Sequence, residues 1–143
     1  MIAFFDASAL IYLIEGSEPF ASRVRAELAA LAQAHPGVGA AVSRLCWLEC
    51  RVGPMKTNNA ALLTAFDAFF ARPDLVWVEL NREVVELAAA IRARHGLRTP
   101  DALQAASCLQ LGDRHILLTG DATFRRVEGL NVVVLGSSTE SPI

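Results

Sequence analysis

The sequence lacks the features that define several protein classes. Lys56 is the only lysine, and the 13 cationic residues are outnumbered by 15 acidic ones, giving a formal net charge of −2. A protein that coats nucleic acid is strongly basic, so this composition excludes that class but permits a nucleic-acid enzyme with a local basic rim. No run approaches the ~18 apolar residues of a membrane span. The hydrophobic content of 53% excludes disorder as the main state.

Cysteine is scarce and poorly spaced for binding a metal or forming disulfides. Cys46, Cys50 and Cys108 form no CxxC pair, and the first two stand four residues apart in a helical pattern. They are interpreted as small buried apolar residues rather than as a disulfide framework or zinc ribbon. The first residues lack a basic segment and place Asp6 in an apolar run, so no secretory signal is predicted and the cytoplasm is the expected location.

Short apolar runs alternate with longer helical patterns along the 143 residues, which predicts a single domain from residue 1 to residue 143. The predicted strands are residues 2–5, 38–42, 75–78, 115–118 and 132–135. Strands separated by helices form a parallel sheet, and continuous apolar strands are typical of a sheet covered on both faces. The predicted fold is a three-layer α/β/α domain with about five parallel strands and a frayed tail from about residue 136.

Turn and capping residues predict two helix boundaries. Ser43 is a natural N-cap for a helix from residue 44, and Gly53 and Pro54 are expected to end that helix. Thr99 is the expected N-cap of a later helix, with Pro100 in the first turn.

Four carboxylates occupy positions that each have an ordinary explanation. Asp6 directly follows the first strand, Asp121 follows the fourth, and Asp101 lies in the first turn of a helix. All three suit helix starts, where side-chain oxygens cap amides and the helix dipole favours negative charge. Glu49 lies on an apolar helix face without a cation three or four residues away, and it also suits a helix edge that reaches water.

Together, these four positions predict that the carboxylates lie close together at one edge of the sheet. Helix starts and the carboxyl ends of parallel strands share one edge of the sheet, so the three aspartates are expected there, and Glu49 is free to join them. Four carboxylates in one cleft raise each other's pKa values, which a divalent cation would offset. Oxygen ligands suit Mg²⁺ or Mn²⁺, and such a site can activate water and stabilise the leaving oxygen of a phosphodiester.

Four stretches carry a resemblance to a known family: FFDASALIYLIEG, SRLCWLECRVG, GLRTPDALQAA and ILLTGDATF. In this order, over residues 2 to 135, the chain resembles PIN domains and specifically the VapC-type toxins of bacterial toxin–antitoxin pairs. The resemblance implies an acidic catalytic and metal-binding quartet: Asp6, Glu49, Asp101 and Asp121. Ser8 and Thr119 match the hydroxyl positions that support this quartet. Gly120 departs from the pattern, because family members often carry Asn or an acidic residue there.

The resemblance also implies an activity and partners. PIN toxins are Mg²⁺- or Mn²⁺-dependent endoribonucleases that cleave transfer RNA or ribosomal RNA. They are usually homodimers, and a small cognate antitoxin inhibits them by wrapping over the active-site groove; no membrane partner is expected. Arg98, Arg125 and Arg126 would flank the site, and they are either candidates for holding RNA phosphates or solvated surface arginines.

The sequence leaves three other functions open. A phosphatase or phospho-acceptor would also have an aspartate after its first strand. The phosphatase would need an acidic residue where Ser8 stands. The receiver-type phospho-acceptor would need a further acidic residue beside the aspartate and a lysine near the last strands, but the only lysine is Lys56. A non-catalytic binding module would retain the fold, although all four acidic positions are occupied. A PIN nuclease in RNA processing or decay would keep the chemistry outside a toxin pair, and only a toxin would have an antitoxin reading frame beside its gene.

Two sets of apolar residues are ambiguous. A helical stripe suits either the core or a contact with a dimer mate or antitoxin helix: Leu62, Leu63, Phe66, Phe69 and Phe70. Trp47 and Trp77 lie within apolar patterns and are expected in the core.

Overall fold

The computed structural model describes residues 1–135, which are built around a five-stranded sheet. The strands are β1 (Ile2–Phe5), β2 (Gly39–Ser43), β3 (Leu75–Val78), β4 (His115–Thr119) and β5 (Val132–Val134). Every neighbouring pair is parallel, and the spatial order is β3-β2-β1-β4-β5. The α/β fold with a parallel sheet of five strands is therefore confirmed. The tail that was predicted to fray from about residue 136 lies outside the described residues.

Helices connect the strands and cover both faces of the sheet. They are α1 (Ala7–Glu15), α2 (Phe20–Ala34), α3 (Arg44–Lys56), α4 (Ala60–Phe70), α5 (Arg82–His95), α6 (Thr99–Leu109) and a 3-10 helix, Ala122–Arg126. Buried residues of α1 to α4 form one hydrophobic core with the sheet, and those of α5, α6 and the 3-10 helix form the other. Among residues 1–135, no helix combines the length and apolarity needed to cross a membrane.

Strand β1 shows why an apolar run suits this architecture. Ala3 and Phe5 contribute to the core beneath α1–α4, whereas Phe4 between them contributes to the core beneath α5 and α6. The alternation follows from the two-residue period of a strand, and all three side chains are buried. A central strand of a three-layer domain is therefore apolar at consecutive positions.

Helix α3 continues past the residues expected to end it. It includes Gly53 and Pro54 and reaches Lys56, so the predicted stop is wrong. Proline disfavours a helical residue before it because the ring clashes with that residue's Cβ and N–H, and glycine has no Cβ to clash. Pro54 is also buried, so its ring adds apolar contacts that favour the helical path.

Helix α6 begins one residue earlier than predicted. Thr99 is already helical, and Arg98 is the N-cap, with no capping hydrogen bond from its side chain. The displacement leaves Pro100 in the first turn, where the amides have no intrahelical acceptor and a missing N–H costs nothing.

Among residues 1–135, four of the six exposed large apolar side chains lie on α3 and none lies on α4. Phe66, Phe69 and Phe70 of α4 are buried, so most of the stripe in that helix belongs to the core. Trp77 packs against the same core, with its ring 5.5 Å from that of Phe70. Trp47 is 38% exposed, which contradicts the prediction that it lies in the core. Its helix face turns away from the sheet.

The strand order reverses between β1 and β4, and this reversal determines where on the sheet the candidate site lies. The chain runs from β1 outward through β2 and β3, then crosses to β4 and β5 on the other side. Strands β1 and β4 are therefore neighbours, with Phe5 in register with Leu118. The residues that follow these two strands emerge side by side at the carboxyl edge, where parallel α/β sheets bind ligands.

Candidate active site

All four predicted carboxylates line one cavity at the carboxyl edge of the sheet. Asp6 follows β1, and Asp121 follows β4 and caps the 3-10 helix. Asp101 lies in the first turn of α6, and Glu49 lies in α3. The cavity has a volume of about 200 Å³, and its remaining lining residues are Ala7, Ser8, Arg98 and Gln104. Folding thus unites four acidic groups that are distant in sequence.

Asp6 is the most confined of the four, with 6% of the residue exposed. The Ser8 hydroxyl donates to Asp6 Oδ1 at 2.6 Å, and the Thr119 hydroxyl donates to Oδ2 at 2.6 Å. The backbone amide of Ala9 also donates to Oδ1, so Asp6 is the N-cap of α1 as well. The two interpretations of Asp6 are compatible, because a carboxylate can accept about four hydrogen bonds.

The two hydroxyls also tie the turn after β4 to the end of β1. Ser8 Oγ accepts the backbone amide of Gly120 at 2.9 Å, and Thr119 Oγ1 accepts that of Asp121 at 3.0 Å. The Asp121 carboxylate in turn accepts the amide of Thr123. The position of Asp121 is therefore fixed through the same two hydroxyls that orient Asp6.

Glu49 is half-buried and contacts a residue that the sequence did not reveal. The side-chain amide Nε2 of Gln104 donates to Glu49 Oε1 at 3.0 Å. Gln104 is buried and lies one helical turn after Asp101 on α6. The available signal was a polar side chain within a run of small apolar residues, since Ala105 and Ala106 follow it and are also buried.

The predicted arginines divide into two groups. Arg98 Nε lies 3.4 Å from Asp101 Oδ2, and the arginine side chain is 80% exposed, so the pair contributes little to stability. Arg126 lines a neighbouring cavity of about 270 Å³ that shares Arg98, Asp101 and Asp121 with the acidic cavity. Arg125 is exposed and lines neither of these two cavities. The structure thus brings Arg98 and Arg126 to the edge of the site.

Burial and mutual repulsion disfavour ionised carboxylates in this cavity. Burial raises the pKa of Asp6 to about 6, although the hydrogen bonds from Ser8, Thr119 and Ala9 oppose the rise. Burial also raises the pKa of Glu49 and that of Asp101. The charge of Asp101 adds to the rise at Glu49, and the charge of Asp121 adds to the rise at Asp101. A cation among these groups would reverse the balance.

The residues present fit a hard divalent cation that retains water. The anionic groups of the cavity are all carboxylates, whose oxygens suit Mg²⁺ or Mn²⁺. Across residues 1–135, no three histidine, cysteine, aspartate or glutamate side chains converge tightly enough to enclose an ion. Mg²⁺ is ordinarily bound by one or two carboxylates and several waters, so a spread set of carboxylates meets its requirements.

Gly120 is required by the packing of Tyr12. A Cβ atom at position 120 would lie 2.5 Å from the Tyr12 hydroxyl oxygen and 2.9 Å from Tyr12 Cε2. The Tyr12 ring is held in place by stacking on Phe20, with 4.8 Å between ring centroids. The tyrosine therefore occupies space that any side chain at position 120 would need.

A family model described as PIN domain matches residues 3–130. The chain belongs to the PIN domain family. Its fold is similar to that of VapBC2 from Rickettsia felis bound to a promoter DNA fragment, at 17% identity and a TM-score of 0.73, covering 94% of this chain and 98% of that one. A toxin–antitoxin complex from Klebsiella pneumoniae matches at 26% identity and a TM-score of 0.66, covering 92% and 96%.

A third similar structure is DNA-bound VapBC from Salmonella typhimurium, at 15% identity and a TM-score of 0.72, covering 94% of this chain and 98% of that one. No curated protein sequence matches the chain significantly. The family predicted from the four sequence stretches is confirmed, and membership of the PIN family supports a nuclease.

The raised pKa of Asp6 predicts a pH dependence of stability. The folded protein keeps a proton on Asp6 up to about pH 6, whereas the unfolded chain releases it near 3.8. The contribution of Asp6 to the free energy of unfolding therefore falls as pH rises between these values, by about 3 kcal/mol. We expect urea unfolding in EDTA to show this loss from pH 4 to pH 7 for the wild type relative to Asp6→Asn.

The matched control is Asp113→Asn, which changes an exposed aspartate before β4, at the opposite edge of the sheet. Its pH profile should follow that of the wild type. Parallel profiles for the wild type and Asp6→Asn would contradict the raised pKa.

Proposed function

We propose that the protein is a Mg²⁺- or Mn²⁺-dependent endoribonuclease and the toxin of a VapBC-type toxin–antitoxin pair. The observation that carries the proposal is the single cavity lined by four carboxylates in a chain of the PIN family. The VapBC complexes with similar folds support the toxin assignment. The proposed substrate is a transfer RNA or ribosomal RNA, which places the activity in the cytoplasm.

Each acidic residue has a proposed role. Asp6, Glu49 and Asp101 would hold the cation, directly or through water, and Asp121 would complete the acidic site. The bound cation would supply the polarisation that activates water for attack on the scissile phosphate and stabilises the leaving oxygen. Ser8 and Thr119 donate hydrogen bonds to different oxygens of the Asp6 carboxylate, so they restrict the rotation of that group.

Cleavage of RNA by the purified protein tests the proposal directly. In Mg²⁺ or Mn²⁺ we expect fragments from a total RNA pool, and in EDTA we expect none. Asp6→Asn should lower the cleavage rate by more than about 100-fold, since changing residues that only orient ligands already costs about 10- to 100-fold. Asp113→Asn should cleave as the wild type does.

The rate is measured from the appearance of labelled 5′ or 3′ ends on a gel. Cleavage that persists in EDTA, or that Asp6→Asn retains in full, would overturn the metal-dependent assignment. Cleavage by the wild type without a neighbouring antitoxin gene would instead favour a PIN nuclease of RNA processing or decay.

The two arginines at the edge of the site are proposed to hold RNA phosphates. Arg98 and Arg126 share a cavity wall with Asp101 and Asp121, so a strand whose scissile phosphate lies among the carboxylates would pass them. Arginine binds phosphate with paired N–H donors, and Arg98 would exchange its contact with Asp101 for one with RNA. Arg125, which lines neither cavity, is assigned a weaker version of the same role.

Salt dependence distinguishes a phosphate contact from a surface arginine. We expect Arg98→Ala to weaken binding of single-stranded RNA and to reduce the slope of log K against log salt by about 0.7, the value for one contact with a single strand. The binding is measured by fluorescence anisotropy with the cleavage-deficient Asp6→Asn protein. Arg114→Ala, before β4 at the far edge, is the control. An unchanged slope in Arg98→Ala would contradict the contact.

The exposed apolar face of α3 is the proposed contact for the antitoxin. Its members are 38–56% exposed: Trp47, Leu48, Val52 and Met55. Contiguous exposed apolar side chains mark partner surfaces, and Glu49 lies on the same helix. A short antitoxin segment laid along this face would therefore border the acidic cavity and obstruct RNA. The chain without antitoxin is proposed to be a homodimer.

Light scattering after size-exclusion chromatography tests both assemblies. The chain alone should have twice its 15.4 kDa mass, and the co-expressed neighbouring gene product should form a larger complex. Leu48→Glu should abolish that complex, because it places a charge in the apolar contact, while RNA cleavage remains. Val85→Glu, on an exposed residue of α5, should leave the complex intact. A monomer would contradict the dimer, and an intact Leu48→Glu complex would contradict the contact.

A further inference from the structure

We propose that Ser43 and Gln104 form a buried relay that positions the carboxylate of Glu49. Ser43 ends β2 and caps α3, Gln104 lies on α6, and Glu49 lies on α3. Gln104 touches the acidic group rather than the substrate, so it is a positioning residue. The inference rests on the proposed metal-dependent function and assigns to this chain a determinant of cation affinity outside the acidic quartet.

The relay is an unbroken series of hydrogen bonds. The backbone amide of Cys46 donates to Ser43 Oγ at 3.1 Å, and the Ser43 hydroxyl donates to Gln104 Oε1 at 2.7 Å. Gln104 Nε2 then donates to Glu49 Oε1 at 3.0 Å. Ser43 is 0% exposed and Gln104 is 2% exposed, so water does not compete for the bonds that Ser43 makes. The bond to Glu49 is part-buried and lies at the wall of the acidic cavity. Each group in the series is therefore held by its neighbour.

The series also fixes which way the Gln104 amide faces. Ser43 Oγ accepts from the helix amide of Cys46, and its own hydrogen is directed to Gln104 Oε1. The NH₂ group must then face Glu49. The reversed amide would place Oε1 against a carboxylate oxygen, and two acceptors without a hydrogen between them repel. The carboxylate of Glu49 thus specifies the orientation of the amide, and the Ser43 hydroxyl fits it by donating to Oε1.

Glu49 needs such support more than the aspartates do. Its side chain has one more rotatable bond, and it belongs to the second turn of α3 rather than to a helix cap. Gln104 holds one carboxylate oxygen and so restricts the rotation of the group, while a carboxylate has a second oxygen with which to bind a cation. Because Asp101 lies three residues before Gln104, helix α6 supplies one acidic group and orients another.

A purely structural role is the competing explanation. A buried amide requires hydrogen-bond partners in any protein, and Ser43 would cap α3 in any case. Both explanations predict lower stability when the bonds are removed. Only the relay predicts that cation affinity depends on Gln104. It also predicts that Ser43 affects this affinity only when Gln104 is present.

Calorimetric titration with Mn²⁺ alone, without RNA, separates the two explanations. Gln104→Met keeps the length of the side chain and removes both hydrogen bonds, and we expect its Kd for Mn²⁺ to rise about 10- to 100-fold. Gln110→Met makes the same change at the exposed end of α6 and should leave the Kd unchanged. Thermal unfolding of each variant confirms that the protein titrated is folded.

A double-mutant cycle with Ser43→Ala tests the order of the relay. Ser43→Ala should raise the Kd for Mn²⁺ in the wild type and have almost no further effect in Gln104→Met, because the link to Glu49 is already absent. Independent effects of the two substitutions on the Kd would overturn the relay. If Gln104→Met does not fold, the Kd of Ser43→Ala alone decides, and an unchanged Kd would overturn the relay.

The experiment distinguishes this inference from the proposed function. A wild-type protein that binds no Mn²⁺ would overturn the proposed function and the relay with it. A wild-type protein that binds Mn²⁺ with the same Kd as Gln104→Met would overturn the relay alone.

Discussion

The buried carboxylate of Asp6 is the constraint on which the rest of the site depends. It lies at the end of the central strand β1, where the strand order reverses towards β4, and it is almost fully enclosed. Removing a charge from water is costly unless hydrogen bonds or an opposite charge compensate it. The protein supplies three donors, from Ser8, Ala9 and Thr119, and these do not fully offset burial, because the pKa remains raised. A cation would complete the compensation.

The surrounding contacts follow from that position. The hydroxyls of Ser8 and Thr119 donate hydrogen bonds to Asp6 and also accept hydrogen bonds from the backbone amides that follow β4. The same two hydroxyl groups therefore orient the Asp6 carboxylate and fix the position of Asp121. The packing of Tyr12 over Gly120 confines this turn further. On the opposite side of the cavity, Gln104 holds Glu49. Asp6, Asp121 and Glu49 are therefore fixed by hydrogen bonds, and a cation would give all four carboxylates a common partner.

The sequence predicted most of this arrangement, and its failures have physical causes. Asp6 and Asp121 were found because strand ends of a parallel sheet share an edge, and Glu49 because no nearby cation explained it. The end of α3 was misplaced because Gly53 has no Cβ and so removes part of the clash between a proline ring and the residue before it, and because Pro54 is buried. Gln104 was missed because its partners lie 61 and 55 residues away, at Ser43 and Glu49, and no local pattern encodes such a contact.

The bond between Thr119 and Asp6 spans 113 residues, and this span has a consequence for synthesis on the ribosome. Strand β1 is made first, and its partner β4 follows only after β2, β3 and the six helices α1 to α6. Contacts of such long sequence separation form slowly, because bringing the two ends of the intervening chain together costs entropy before the contact is gained. A nascent chain therefore cannot assemble the acidic site before β4 leaves the ribosome. The acidic site, and any chemistry it supports, is therefore absent from the growing chain until β4 is available to pair with β1.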